Sequence, residues 1–423
     1  MLGYRFGRLN WIFGVALAIG FVFLGLFAMV RSVSNSWPGP LTLSQPALKD
    51  PIPATFFGMT INHLHSTPWP SIPFASIRTW DTGVVWSNLN PASGVYTWEG
   101  LDWLINLSQD RGVDLVFTFG STPRWVSSKP NTPTPYGPGL CAPPGSLKYW
   151  DEFVQAIVMR AHNRIKFWEI WNEPQDASFY CGDIAAMSEL QRRAYKIIKT
   201  VDPEAKVLTP SPVGRQGLKW MADFLATGAG EYADIAAFHG YWDTTAESIK
   251  SVIEYYRQVF DQGGQGKKPV WDTEASWGEN ARSSDPDAQA AFLAKYYLLH
   301  WSGGVSRFFW YSYDNVLFGG LWDSATGLHK AGLAYREIHK WMMGAAISKP
   351  CGEVGYFSGV WTCDFSRPNG YVARVVWRHS GQSAYRPSDQ FRQYRDLDGG
   401  TYQVNGEVQI GTKPILLENM SGF

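Results

Sequence analysis

Several features are scarce in this chain of 423 residues, and each scarcity removes a class of function. There is no excess of charge, since 37 Lys and Arg balance 37 Asp and Glu. A balanced chain offers no basic footprint for nucleic acid, so none is expected as a partner. No H-E-x-x-H, no G-x-S-x-G and no EF-hand loop occurs, which excludes the chemistries those motifs carry. No G-x-G-x-x-G follows the first predicted strand and there is no phosphate-binding loop. Neither a cofactor nor a metal is expected. Cysteine is limited to Cys141, Cys181, Cys351 and Cys363, with no C-x-x-C pair to suggest zinc. Four cysteines permit three pairings. Proximity in sequence favours Cys141–Cys181 and Cys351–Cys363, the alternative being four reduced, buried thiols.

Long apolar runs are also rare, and the exception is informative. Residues 11–30 carry no charge, with Arg5 and Arg8 before them and Arg31 after. Twenty residues at about 1.5 Å each match a bilayer core of about 30 Å. The flanking arginines place the N-terminus in the cytoplasm and the rest outside. Residues 1–31 are therefore expected to be a transmembrane signal-anchor that makes the membrane a partner. A cleaved signal peptide is the rival, but its apolar core is usually shorter and no clear small-x-small site follows. An exported chain also makes disulfides plausible.

Aromatic residues are abundant, with 21 Trp, 20 Tyr and 24 Phe. A large core accounts for part of them, and Trp and Tyr faces also suit sugar rings. After a Ser- and Pro-rich linker, residues 32–53, short apolar runs alternate with helix-like stretches. Eight strands are predicted, at 56–61, 76–80, 114–119, 165–171, 206–209, 234–238, 269–273 and 306–311. Helices are predicted at 149–161, 186–201, 245–260 and 287–301. This α/β pattern suits a (β/α)8 TIM barrel over residues 54–345, with a doubly wound open sheet as the alternative. The segment 120–144 is long and rich in Pro and Gly, so it belongs on the face that shapes a cleft. From 346 to 423 the texture has period two, and Asn405-Gly406 is a hairpin signal. A small β-sandwich-like domain is expected there.

The chemistry lies in two stretches. F-W-E-I-W-N-E-P ends on Asn172, Glu173 and Pro174, and V-W-D-T-E-A-S-W-G carries Glu274. Each carboxylate closes a predicted strand, the fourth and the seventh, which face each other across an eight-stranded barrel. Two such carboxyls are what a retaining glycosidase needs, one as acid/base and one as nucleophile. Regular alternation puts Phe167, Glu169, Trp171 and Glu173 on one face, with Glu169 deeper and structural. Asp272 is likewise expected to lie deeper on the face of Glu274.

W-N-E-P after the fourth strand and T-E-x-x-W-G after the seventh resemble clan A glycoside hydrolases. H-G-Y-W at 239–242 and the trailing β domain resemble the family 39 group and related bacterial exopolysaccharide hydrolases. Family 5 cellulase-like enzymes are the nearest rival. The resemblance implies Glu173 as acid/base, Asn172 on the substrate 2-hydroxyl and Glu274 as nucleophile. It also implies Arg78 near the nucleophile, His239 and Tyr241 as its imidazole and aromatic contacts, and Trp310 as the floor of the sugar-cleaving subsite. The plainer alternatives are an Arg78 paired with Glu169, a core His239, a loop Tyr241 and a packing Trp310. Trp69, Trp80, Trp86, Trp125, Trp242, Trp277 and Trp322 fall in active-face segments, some of them as subsite walls. The function expected is metal-free, retaining hydrolysis of a β-linked polysaccharide or oligosaccharide. The competing functions are a silent carbohydrate-binding barrel and an envelope-polysaccharide assembly protein.

Overall fold

The computed structural model describes residues 49–241, 245–278 and 284–422. The expected membrane span lies outside the described residues. Among those described, no helix is long and apolar enough to cross a membrane.

Eight parallel strands form one sheet: β1 Phe57–Met59, β2 Ser76–Arg78, β3 Asp114–Phe119, β4 Phe167–Ile170, β5 Lys206–Leu208, β6 Ala236–His239, β7 Val270–Ala275 and β8 Val305–Trp310. Their order, β5-β4-β3-β2-β1-β8-β7-β6, leaves β5 and β6 at the two edges. Isolated parallel bridges Leu208↔Ile235 and Val213↔His239 join those edges, so the sheet curls into a barrel rather than an open wound sheet. The strands match the predicted eight within about two residues at most ends, the usual uncertainty of a boundary. Helices Leu147–Arg160, Ile184–Val201, Ile249–Gln262 and Pro286–Ser302 lie where expected. Beyond the predicted set are Glu99–Arg111, Gly214–Ala226, Lys330–Met342 and the short Trp86–Leu89.

Local chemistry explains why these segments are helical. In Ile184–Val201, Asp183 caps the start by accepting from the Ala186 N–H at 2.7 Å. Met187, Leu190, Ala194 and Ile198 then repeat on the face that turns to the barrel and are buried. Each such side chain contributes roughly 1.5–3 kcal/mol of apolar burial. Asp285 caps Pro286–Ser302 through the Asp287 N–H, with Pro286 in the first turn where its missing N–H costs nothing.

The inside of the barrel has two levels. At the N-terminal end, Val116, Leu208, Ile235, Ala237, Trp271 and Phe309 form an apolar plug. The Arg307 guanidinium lies 4.4 Å from the Trp271 ring centroid and 4.7 Å from that of Phe167, beneath this plug. One level up, the inward positions become polar, and Arg78 and Glu169 are both fully buried. A cavity of about 610 Å³ lies at the N-terminal end, lined by Phe167, Trp271 and Arg307 among others, away from the polar level.

Beyond the barrel, strands β9 Trp322–Asp323 and β10 Gly327–Leu328 pair in the loop after β8. The C-terminal part has strands β11 Ala346–Glu353, β12 Val360–Arg367, β13 Tyr371–Arg378, β15 Gln393–Arg395, β16 Thr401–Gln403 and β18 Ile415–Glu418, which build a six-stranded antiparallel sheet in the order β11-β12-β13-β18-β15-β16. One face joins the barrel core through Phe365, Val375 and Trp377. The other, with Val376 and Leu417, closes a small core under the pair β14 Ser383–Tyr385 and β17 Val408–Ile410. Asn405-Gly406 does not close a hairpin. The strands on either side, β16 Thr401–Gln403 and β17, pair with β15 Gln393–Arg395 and β14 respectively. The disulfides Cys141–Cys181 and Cys351–Cys363 are both present. The second ties β11 to β12 Val360–Arg367, and the first ties the loop after β3 to the loop after β4.

Candidate active site

The site is built at the C-terminal ends of β2, β4, β6 and β7. Strand β4 ends at Ile170, earlier than predicted, and the backbone then turns. Trp171 and Glu173 take positive φ of 80° and 42°. Alternation carries Phe167 and Glu169 inward, but Glu173 reaches the centre by this turn, not by strand geometry, and Pro174 does not end the strand. The turn is fixed from the next strand: the Glu173 N–H donates to Ser211 O at 3.1 Å, and Asn172 bridges Ser211.

Strand β7 departs from alternation in the same way. Its register with β8 shifts between Asp272 and Ala275. Asp272 therefore does not share a face with Glu274. It turns to helix Pro286–Ser302, where His300 Nε2 lies 2.7 Å from its Oδ2. Its Oδ1 accepts from the N–H groups of Gly240 and Glu274, both at 3.2 Å. Gly240 has no room for a side chain, because a Cβ would lie 2.1 Å from Asp272 Oδ2. This close approach of β6 to β7 brings His239 and Tyr241 beside Glu274.

Arg78, the last residue of β2, connects the group. Its Nε donates to Glu169 Oε2, one terminal nitrogen to Glu274 Oε2 and the other to Asn172 Oδ1, each at 2.7 Å. Thr118 Oγ1 adds a bond to Glu169 Oε2 at 2.8 Å. Arg78 thus pairs with Glu169 and reaches Glu274 as well, in one fork. Burial alone would weaken the charge on Arg78, but Glu169 and Glu274 outweigh it and hold the guanidinium protonated.

The two candidate catalytic carboxyls are the accessible members. The side chains of Glu173 and Glu274 are 12% and 11% exposed, against 0% for Arg78 and Glu169. Glu173 Oε1 lies 2.8 Å from His239 Nδ1, and Tyr241 Oη donates to Glu274 Oε1 at 3.3 Å. Ligand atoms of Glu173, His239 and Glu274 all lie within 4.8 Å of one another. These three could converge on a cation, though the adjacent guanidinium opposes a positive charge there.

Burial sets the electrostatics. It pushes Glu173 well above the usual carboxyl range, and the charge on Glu274 pushes the same way. Burial also raises Glu274, to about 8, against the opposing pull of Arg78. Of the two, only Glu274 touches the guanidinium, so it loses its proton first and Glu173 keeps the shared one. Burial, with Arg78 nearby, lowers His239 and keeps the imidazole neutral. His239 Nε2 has no partner among the described residues. A bare acceptor there costs less than a bare N–H, so the proton sits on Nδ1 and is donated to Glu173 Oε1. Glu173 Oε2 then remains to carry the acidic proton.

The structure brings Arg78, Asn172, Glu173, His239, Tyr241 and Glu274 together, but not Trp310. In β8, Arg307 and Phe309 point inward, so Trp310 points outward. It is fully buried, its indole N–H donates to Gly319 O at 2.8 Å, and its ring lies against Trp277 and Tyr297. The inward aromatic is the next residue, Tyr311. Its hydroxyl donates to Asp81 Oδ2 at 2.7 Å. The same alternation that runs through β8 carries the signal for Tyr311. Of the other tryptophans, Trp80 and Trp86 are buried, and Trp242 lies outside the described residues.

The profile of the family described as glycosyl hydrolase catalytic core matches residues 106–335. No curated protein sequence matches the chain. Its fold is similar to a family 39 glycoside hydrolase from Bacteroides cellulosilyticus, at 18% identity and TM-score 0.69 over 88% of this chain and 82% of that one. It is also similar to a family 39 β-xylosidase from Caulobacter crescentus, at 19% identity and TM-score 0.63 over 87% and 97%. A family 30 endoxylanase from Clostridium papyrosolvens gives 12% identity and TM-score 0.57 over 90% and 98%. With its matched region covering more than half of the sequence, the chain belongs to the glycosyl hydrolase catalytic core family.

Proposed function

We propose that the chain cleaves O-glycosidic bonds of a β-linked polysaccharide or oligosaccharide with retention, through a covalent intermediate on Glu274. One observation carries this reading: an oxygen of the Glu173 carboxyl lies within 4.8 Å of one of the Glu274 carboxyl. Retaining pairs stand about 5–5.5 Å apart, whereas inverting pairs need about 6.5–9.5 Å to admit a water between acid and base.

The roles follow from the contacts. Glu173 Oε2 gives its proton to the glycosidic oxygen as Glu274 attacks the anomeric carbon. The leaving group departs as an alcohol, and the sugar becomes an ester of Glu274. Glu173 is now ionised, and the Nδ1–H of His239 supports that charge. A water entering on the leaving-group side gives its proton to Glu173 and displaces Glu274, which regenerates both groups. Arg78 favours the ionised nucleophile and the carboxylate that is released. Asn172 is oriented through its Oδ1 by Arg78, so its amide N–H2 is free to donate to a substrate hydroxyl beside the bond being cut.

The same proposal places the enzyme on the outer face of the cytoplasmic membrane through residues 11–30. The two disulfides support an oxidising compartment. N-terminal sequencing of the native protein tests the anchor, since a start between Met29 and Trp37 would mean cleavage. For the reaction, NMR of freshly released sugar should show the β-anomer before mutarotation. An α-anomer appearing first would mean inversion and reject the mechanism.

A further inference from the structure

We propose that Asp81, held between Tyr136 and Tyr311, selects the sugar unit beside the catalytic pair, accepting hydrogen bonds from its ring hydroxyls and turning away a unit that bears its own carboxylate or sulfate. This rests on the reading of Glu173 and Glu274 given above.

Asp81 lies three residues beyond Arg78, in the left-handed region with φ 63°. Aspartate tolerates that conformation better than most side chains. Its oxygens accept from two different loops. Tyr311, after β8, donates to Oδ2 at 2.7 Å, and Tyr136, in the long loop after β3, donates to Oδ1 at 3.1 Å. Tyr311 is itself oriented: Asn62 Nδ2 donates to its oxygen at 3.4 Å, and Ser312 Oγ donates to Asn62 Oδ1 at 2.6 Å. Burial raises the Asp81 carboxyl, and the two phenol donors and Arg78 oppose that by favouring the ionised form, which only accepts. Such a carboxylate has about four acceptor positions, so about two are left over.

Asp81 lies close to the catalytic pair, bonded to Tyr311 at the end of β8. The Tyr311 N–H donates to the carbonyl of Ala275, the neighbour of Glu274, at 3.1 Å. The charge on Asp81 also raises the proton affinity of both Glu173 and Glu274. Among the described residues, no Lys, Arg or His forms an ion pair with Asp81. The nearby guanidinium, Arg78, is committed to Glu169, Glu274 and Asn172. With Glu173 protonated, Arg78 faces the carboxylates of Glu169, Glu274 and Asp81, and an acidic sugar would add a fourth negative charge in a site shielded from water.

The test compares wild type with Asp81→Asn and Tyr136→Phe. The substrates are 4-nitrophenyl β-xyloside, β-glucoside and β-galactoside against the β-glucuronide and β-galacturonide, and xylan and β-glucan against polygalacturonate and alginate. Wild type should favour the neutral set by roughly a hundredfold or more in kcat/KM, the scale of one unit-charge repulsion across a few ångströms. Asp81→Asn should lose roughly tenfold or more on the neutral substrate and shrink the neutral-to-uronide ratio at least tenfold. Tyr136→Phe keeps the charge, so it should weaken neutral turnover and leave that ratio in place. Wild type acting on a uronide as fast as on its neutral counterpart overturns the proposal. So does an Asp81→Asn variant that loses both activities equally, as a mere loop clip would. Neutral-selective turnover with inversion would reject the retaining mechanism and leave Asp81 standing. No turnover of any substrate would remove both.

Discussion

Replacing Arg78 by methionine separates an electrostatic role from a packing one. The guanidinium touches Glu274 Oε2 at 2.7 Å and shares no direct bond with Glu173. With charge centres about 4 Å apart and an effective dielectric of about 20, the attraction is about 4 kcal/mol. At 1.36 kcal/mol per tenfold, losing it raises the proton affinity of Glu274 by up to about a thousandfold. Glu274 stands at about 8 with Arg78 present, so the variant keeps it protonated through neutrality. A nucleophile works only when deprotonated. The acid limb of kcat/KM against pH should therefore move to higher pH, and activity at pH 7 should fall by roughly a thousandfold. The assay is a pH profile with an aryl glycoside whose leaving group needs no protonation, so that Glu173 does not limit the rate. Arg78→Lys keeps the charge but not the three-way fork, and its limb should move less. Both variants should also melt lower, since a buried carboxylate left unpaired costs about 3–5 kcal/mol. An acid limb that stays in place in Arg78→Met, under a uniform drop in rate, would refute the electrostatic account.

In wild type, burial raises both carboxyls, so the kcat/KM bell should lie at neutral to alkaline pH and fall away toward pH 5. Maximal activity near pH 5 would contradict this ordering. Glu173→Ala should be slowest on poor leaving groups, and azide should restore turnover of an activated substrate as the β-glycosyl azide; an α-azide would reject the role. Replacing Cys141 and Cys181 by Ser opens a link across 40 residues and should destabilise the protein by up to about 4 kcal/mol, read from denaturant midpoints. Activity should fall with it, because the same link ties the loop of Tyr136 to the loop beyond Glu173. Glu247→Ala should loosen the C-terminal sheet and lower kcat, because Glu247 receives Lys295 and Trp377 at 2.8 Å just after the strand of His239. A melting temperature unchanged by the substitution would contradict that.

Much of the barrel was legible in the sequence because buried parallel strands are short apolar runs and the two glutamates close such runs. Helix Glu99–Arg111 was missed although Leu101, Leu104, Ile105 and Ser108 repeat at helical spacing. Charged residues and a mid-segment Trp masked that stripe. Other misses came from where period two stops. Glu173 is delivered by a left-handed turn and Glu274 by a register shift, so alternation accounts only in part for how the two meet, and it misplaces Asp272. In β8 alternation does hold, and counting inward from Arg307 would have chosen Tyr311 over Trp310. Asp81 was beyond sequence reasoning because its partners, Tyr136 and Tyr311, meet it only in three dimensions. Asn405-Gly406 shows the same limit, since a turn signal does not say which strands will pair across it.

Trapping the glycosyl-enzyme tests the central claim most directly. The enzyme is incubated with 2-deoxy-2-fluoro-β-xylosyl fluoride and with the gluco analogue, then digested and sequenced by mass spectrometry. Time-dependent inactivation should leave one fluorosugar, on the peptide of β7, esterified to Glu274. A label on Asp272 or Glu173, with Glu274→Ala still active, would contradict the account.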